Sequence, residues 1–210
     1  MLFLDEMGEF SPVALDALRQ PLEDGVVRVS RARAAVTYPA RFLLVAAMNP
    51  CPCGAAGGPA SCRCSVAARA RYHRRLSGPL LDRFDLRLEV HRPAPLDLLG
   101  VGRGESTADV AARIGGARSI AANRGVRANA ELSSRGLDEH CSLLPAARIV
   151  VERALAEGSL SARGYNRIRA VARTVADLAG RDGPLDEPDV LLALQLRSSL
   201  RVSDGEVIGV

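Results

Sequence analysis

Residues able to do chemistry stand at separated points of this 210-residue chain. The first is Asp5-Glu6, an acidic pair directly after the apolar run Leu2-Phe3-Leu4. Carboxylates at the C-terminal end of a buried parallel strand lie where α/β sheets bind ligands. One such carboxylate can hold Mg²⁺, directly or through water, while its neighbour polarises an attacking water. The competing reading is a strand end meeting a solvated acidic loop. Asn49 ends a second apolar run, RFLLVAAMNP (41–50), and an amide at a strand tip can orient a water beside a phosphate. Asn-Pro also simply opens turns. Arg83 in LLDRFDL lies between apolar residues that anchor it, so its guanidinium could stabilise phosphoryl charge on a neighbouring subunit. A surface salt bridge with Asp82 or Asp85 explains an isolated Arg as well. Arg163 follows Ser161, which is placed as an N-cap. A cation in a first helical turn opposes the macrodipole unless an anion, such as a nucleotide phosphate, meets it. Solvation of one more Arg in an Arg-rich chain is the alternative.

A different chemistry is written in CPCGAAGGPASCRC, which holds Cys51, Cys53, Cys62 and Cys64 as two C-x-C pairs. Four thiolates this close could bind Zn²⁺ tetrahedrally, although C-x-C is tighter than the usual structural spacing. Free or redox-active thiols and an inert loop are the other readings. Disulfides are disfavoured in a cytoplasmic protein. Cys141, alone in a helical region, reads as a small buried apolar residue.

The elements that must position these residues follow from periodicity. Leu2–Leu4 reads as a short buried strand. Glu9 to Leu22 has apolar residues near helical spacing behind Ser11-Pro12, a good N-cap and N1 pair, and Gly25 stops it. VVRVSRARAAVTYPA alternates and turns as a hairpin, with Arg28, Arg31 and Arg33 near its tip. Residues 41–50 form a second apolar strand, 65–77 a basic helix, and a third strand is expected within 80–90. Apolar strands separated by helices imply a parallel sheet covered on both faces. After residue 93 the texture changes to helices at 107–124, 145–157, 163–179 and 187–200, joined through a Pro- and Gly-rich segment at 93–106. In the third of these, Ile168, Val171, Ala172, Val175 and Leu178 are the expected apolar face.

Composition bounds the function classes. Hydrophobic residues are 48% and charged residues 25%, which describes a globular chain with a real core. No apolar run approaches the ~18 residues that span a bilayer, and no signal peptide precedes Asp5, so a soluble, cytoplasmic protein without membrane partners is expected. The net charge is +4, and all 28 basic residues are Arg. A chain without lysine cannot contain the P-loop G-x-x-x-x-G-K-[ST].

The segments LFLDE, ALRQPLEDG, AAMNPCPCG, SGPLLDRFDL and LSARGYNRIRAVARTVADLAG together resemble the magnesium-chelatase-like family of AAA+ ATPases. That family includes competence-linked DNA branch-migration helicases. The resemblance covers nearly the whole chain. It implies an α/β fold: a partial AAA+ core with a parallel sheet covered by helices at 1–95, and an all-helical lid at 96–210. On this resemblance Asp5 and Glu6 match the Walker B pair and Asn49 sensor 1. Arg83 matches the arginine finger and Arg163 sensor 2. The hairpin matches a pore-facing insertion whose Arg28, Arg31 and Arg33 would contact DNA phosphates, with a solvated basic edge as the alternative. ATP with Mg²⁺ is the implied cofactor, and a homo-oligomeric ring, a hexamer, the implied assembly.

Family members carry an N-terminal domain and a P-loop before Walker B, and this chain has neither. It is therefore expected to be a truncated gene product, a mis-called start or a fragment, inactive alone. Two other readings stand beside the motor. One is a non-catalytic adaptor that enters rings of a full-length paralogue. The other is a metal-insertion motor like the true magnesium chelatases, although the CPCG loop and SARGY lid lean toward the helicase-like branch.

Overall fold

The computed structural model describes residues 1–31, 34–54, 62–90, 93, 104–198, 202–203 and 206–207; Arg33 and most of 93–106 lie outside the described residues. Met1–Phe84 make one compact unit, and Pro93–Ser199 with Asp85–Glu89 make another.

The first unit runs β1 (Leu2–Leu4), a 3-10 turn (Met7–Glu9), α1 (Pro12–Ala17), α2 (Arg19–Asp24), β2 (Val26–Arg31), β3 (Ala34–Pro39), β4 (Leu44–Ala46), α3 (Val66–His73) and α4 (Gly78–Leu81). β1 and β4 pair in parallel with Leu2 opposite Leu44, Phe3 opposite Val45 and Leu4 opposite Ala46. Strand alternation puts Leu2, Leu4, Leu44 and Ala46 on one face, where they pack with Met7, Leu15 and Leu80. The opposite face carries Phe3 and Val45, which are 54% and 38% exposed. Among the described residues, the cover expected on both faces is thus present on one.

Two further expectations are corrected here. The helix expected over 9–22 is two helices that meet at Leu18, because Pro21 has no N–H to give to the Ala17 carbonyl. The strand expected within 80–90 does not form. Ser77 caps a one-turn helix through its hydroxyl, which accepts from Leu80 N–H at 3.3 Å, and Pro79 favours that turn. Further on, Arg87 N–H donates to the Leu196 carbonyl at 2.7 Å and so satisfies a helix end instead of a ladder.

The second unit holds α5 (Thr107–Asn123), α6 (Ser134–His140), α7 (Pro145–Ala156), α8 (Ala162–Leu178) and α9 (Glu187–Ser198). Ser106, Ser133 and Ser161 cap α5, α6 and α8 through side-chain oxygens that accept backbone N–H bonds. Among the helices the sequence indicated, α5, α7, α8 and α9 form, and α6 is an addition. The buried line of α8 is Ile168, Ala172 and Ala176, joined by Arg169, Arg173 and Asp177. Val171 and Val175 are half-buried and Leu178 is exposed, so the apolar face lies about one position away from the expected one. Cys141 is fully buried in this core, as its isolation indicated. No helix among the described residues is long and apolar enough to cross a membrane.

Candidate functional site

The parallel pair carries Asp5-Glu6 and Asn49 out of the sheet side by side. The ladder continues beyond the strands: Ala47 N–H donates to Leu4 O at 2.9 Å, and Met7 N–H donates to Ala47 O at 2.8 Å. Asp5 and Glu6 are exposed and Asn49 is half-buried. Asp5 Oδ1 accepts the Glu6 N–H at 3.0 Å. Glu6 has φ 49° and ψ 45°, and it is the only non-glycine with positive φ among the described residues. A left-handed L-residue costs roughly 1–2 kcal/mol, so strain is held at the second carboxylate of the pair.

Three side chains of the segment RARYHRR brace this edge, a role the sequence did not assign to them. Its His73 and arginines read there as a solvated helical face or a contact to DNA or acidic partners. Tyr72, on α3, is buried with its ring against Gly8, and its hydroxyl lies beside the backbone of Asn49. Burial, reinforced by Glu9, pushes the phenol pKa up. Arg75 donates to the Gly8 carbonyl at 2.6 Å and to Glu9 Oε2 at 3.1 Å. His73, half-buried, lies beside the backbone of Pro50, and desolvation holds its pKa down. One helix thus holds the turn after the acidic pair and the loop after Asn49 at once. The signal available in the sequence was a single aromatic inside the basic stretch RARYHRR.

The cysteine loop begins two residues after Asn49. The Sγ atoms of Cys51, Cys53, Cys62 and Cys64 all lie within 4.8 Å of one another. Cys51 to Cys53 is 3.2 Å, Cys62 to Cys51 is 3.5 Å and Cys53 to Cys62 is 3.7 Å. None is in a disulfide. As free thiols two of them resist ionisation: burial, then hydrogen bonds with Cys53 and Cys62, push Cys51 up to about 12. Cys64 is raised as well, mainly by its hydrogen bond with Cys53.

Arg83 is not a surface residue. Its side chain is 6% exposed, donates to Arg19 O at 3.1 Å and Pro79 O at 2.6 Å, and pairs with Glu23 rather than with Asp82 or Asp85. Arg163 occupies the first turn of α8 and is exposed. Ser161 Oγ accepts from Gly164 N–H at 3.0 Å, the cap expected there. A Cβ at Gly164 would lie 2.8 Å from Leu160 Cδ1, so any larger residue there must push the end of that side chain aside.

β2 and β3 form the expected antiparallel hairpin, exposed along nearly its whole length. Arg28 lies opposite Thr37 and Arg31 opposite Ala34. Three residues apart on a strand, the two arginines face opposite sides. Arg28 is also paired with Asp24 at 3.1 Å.

In the second unit a buried polar network fixes α8. Arg124 donates twice to Asp177 at 2.7 Å and also bonds Asp182. Arg173 donates to Asp177 at 3.1 Å and to Gly183 O at 2.6 Å, while Asn129 Nδ2 reaches Asp177 at 2.7 Å. The Asp177 pairing, working against burial, drives the Arg124 pKa up.

Two family models match the sequence: "Magnesium chelatase, subunit ChlI" over residues 1–98, and "Magnesium chelatase, subunit ChlI C-terminal" over residues 104–197. An uncharacterized protein of Mycobacterium tuberculosis is 47% identical over 204 residues, which is 95% of this chain and 40% of that protein. Competence protein ComM of Haemophilus influenzae is 44% identical over 203 residues (96% and 40%). Uncharacterized protein YifB of Escherichia coli is 43% identical over 201 residues (95% and 38%). The chain spans about two fifths of the length of these relatives.

Proposed function

The chain belongs to the magnesium-chelatase-like family, and from that premise we propose that it supplies the water-activating and lid portion of an AAA+ ATPase site in a motor that remodels DNA. The observation that carries this reading is the placement of Asp5-Glu6 and Asn49 at one sheet edge, joined by the bonds at Leu4, Met7 and Ala47. In it, Asp5 would hold nucleotide-bound Mg²⁺, Glu6 would polarise the attacking water, and Asn49 would orient that water. Mg²⁺ would supply neutralisation of phosphate charge. The left-handed backbone of Glu6 aims its carboxylate independently of the strand, which suits a residue that must reach a water. Arg163 meets phosphate at the start of α8, where the helix dipole adds to its charge. Arg83 bridges to a neighbouring subunit only after exchanging its contacts with Glu23, Arg19 and Pro79.

None of the 210 residues is lysine, so the phosphate cradle is supplied by residues outside them, in a longer polypeptide or in a partner chain. A homo-oligomeric ring or co-assembly with a longer paralogue provides the neighbouring subunit. The exposed hairpin with Arg28 and Arg31 touches DNA phosphates without reading sequence.

The test is ATP turnover in an assembly that includes a P-loop. Glu6→Gln there is expected to lower kcat by about 10²-fold or more while nucleotide binding persists. Unchanged kcat would remove Glu6 from the chemistry, and rapid turnover by the 210 residues alone would remove the need for an external cradle.

A further inference from the structure

We propose that Cys51, Cys53, Cys62 and Cys64 form a structural zinc centre that sets the position of Asn49. Four sulfurs at about 2.3 Å from a central Zn²⁺ stand about 3.8 Å apart along the edges of a tetrahedron. The sulfurs here are separated by 3.2, 3.5 and 3.7 Å, and none of the four is more than 4.8 Å from another. A disulfide would bring a pair to about 2.05 Å, so this gathering is not oxidised cysteine. A closed set of four sulfurs selects Zn²⁺ or an iron–sulfur cluster. The irons and sulfides of a cluster would spread the thiolates beyond this spacing, which leaves one ion.

The local backbone is shaped for the purpose. Gly54 N–H donates to Cys51 O at 3.1 Å, and Gly54 has φ +66°, so the chain reverses tightly between Cys51 and Gly54. That turn lets two cysteines separated by one residue present their sulfurs to a common point despite the unusual C-x-C spacing. Four thiolates and one divalent ion carry net charge −2, formed with release of four thiol protons. Arg63, between Cys62 and Cys64, and Arg69 on α3 are the nearby cations in sequence.

The consequence reaches the sheet edge. A Cβ on Gly54 would lie 3.8 Å from Asn49 Nδ2, so the knuckle packs beside the Asn49 amide. Cys64 immediately precedes Ser65, whose Oγ accepts from Ala68 N–H at 3.2 Å and caps α3. α3 in turn carries Tyr72, which touches both Gly8 and the Asn49 backbone. One ion therefore ties the loop leaving Asn49 to the helix that braces the turn after Asp5-Glu6. Asn49 belongs to the proposed water-orienting set, but zinc binding is read without nucleotide, so either proposal can fail while the other stands.

The experiment uses the chain purified without chelators, with zinc, iron and copper measured by elemental analysis. About one zinc per chain is expected, and Co²⁺ replacement should give the intense visible bands of a tetrahedral thiolate site. Cys64→Ser should weaken zinc affinity, and Cys141→Ala should leave zinc content unchanged. Hydrogen exchange of the amides at 47–54 and 66–73 should be at least about tenfold slower with zinc than after its removal, with 145–178 unaffected. Less than a tenth of an equivalent of zinc after reconstitution, stoichiometric iron or copper instead, or an octahedral cobalt spectrum would overturn the centre. Equal exchange at 47–54 with and without bound zinc would overturn its control of Asn49.

Discussion

The Tyr72 ring occupies the space that a side chain on Gly8 would need: a Cβ there would lie 2.3 Å from both Cζ and Oη of the ring. A side chain at Gly8 fits only if the Tyr72 ring or the 3-10 turn that follows Glu6 moves. Gly8→Ala is therefore expected to destabilise the first unit by about 1–3 kcal/mol through overpacking, read by urea denaturation. Tyr72→Leu in the Gly8→Ala background should recover part of the loss, because the two changes share one space. Strict additivity of the two would show that the contact is not the cause.

Asp177 accepts from Arg124, Arg173 and Asn129 with its side chain 1% exposed, and Arg173 is fully buried. Removing the shared anion leaves Arg173 buried without its counter-charge and Arg124 with Asp182 alone. Asp177→Ala is expected to cost about 3–5 kcal/mol, measured from thermal or denaturant unfolding. Asp177→Asn, which keeps an acceptor oxygen, should cost less. A loss under about 1 kcal/mol for the alanine variant would mean that the network relaxes or hydrates freely.

Acid should weaken the second unit for a related reason. The Arg124 hydrogen bond holds Asp182 below its ordinary 3.8. Burial pushes Asp189 up, but Arg181 and Asp186 outweigh it and its value is also lowered. Folded values below the unfolded one mean that stability is fully present above pH 3.8 and is lost as pH falls below it through the depressed folded values. The melting midpoint should hold level from neutral to about pH 5 and then decline, with a shallower acid limb in Asp182→Asn or Asp189→Asn. Identical acid limbs in these variants and the parent would count against the assignment.

The two faces of the hairpin separate Arg28 from Arg31. If both contact phosphate, each replacement by Ala should lower the slope of log affinity against log salt by about 1, equally for unrelated sequences. Arg28 must leave Asp24, so Asp24→Asn should strengthen DNA binding modestly. A slope changed by only one of the two arginines would assign DNA to a single face.

Much of the architecture was legible because it is local. Short continuous apolar runs announced β1 and β4, alternation announced β2 and β3, and a serine cap with helical periodicity announced α8. Asp5, Glu6 and Asn49 were recognisable at strand ends, and Ser161 as a cap. Illegible features were those settled between distant segments. The strand expected within 80–90 gave way to a capped turn and a bond from Arg87 to Leu196, a competition no window of sequence contains. Arg83 looked equally ready for Asp82, Asp85 or a neighbour, and Glu23, sixty residues away, took it.

The sequence by itself determined the residue types, the family, and the exclusion of a lysine-bearing P-loop from these 210 residues. All three depend only on which side chains occur and in what order. The tertiary structure decided that Tyr72 locks Gly8 and Asn49 together, that four sulfurs gather within 4.8 Å, and that Arg28 and Arg31 face apart. These are facts of register and close packing, where chain segments far apart in sequence compete for the same few ångströms.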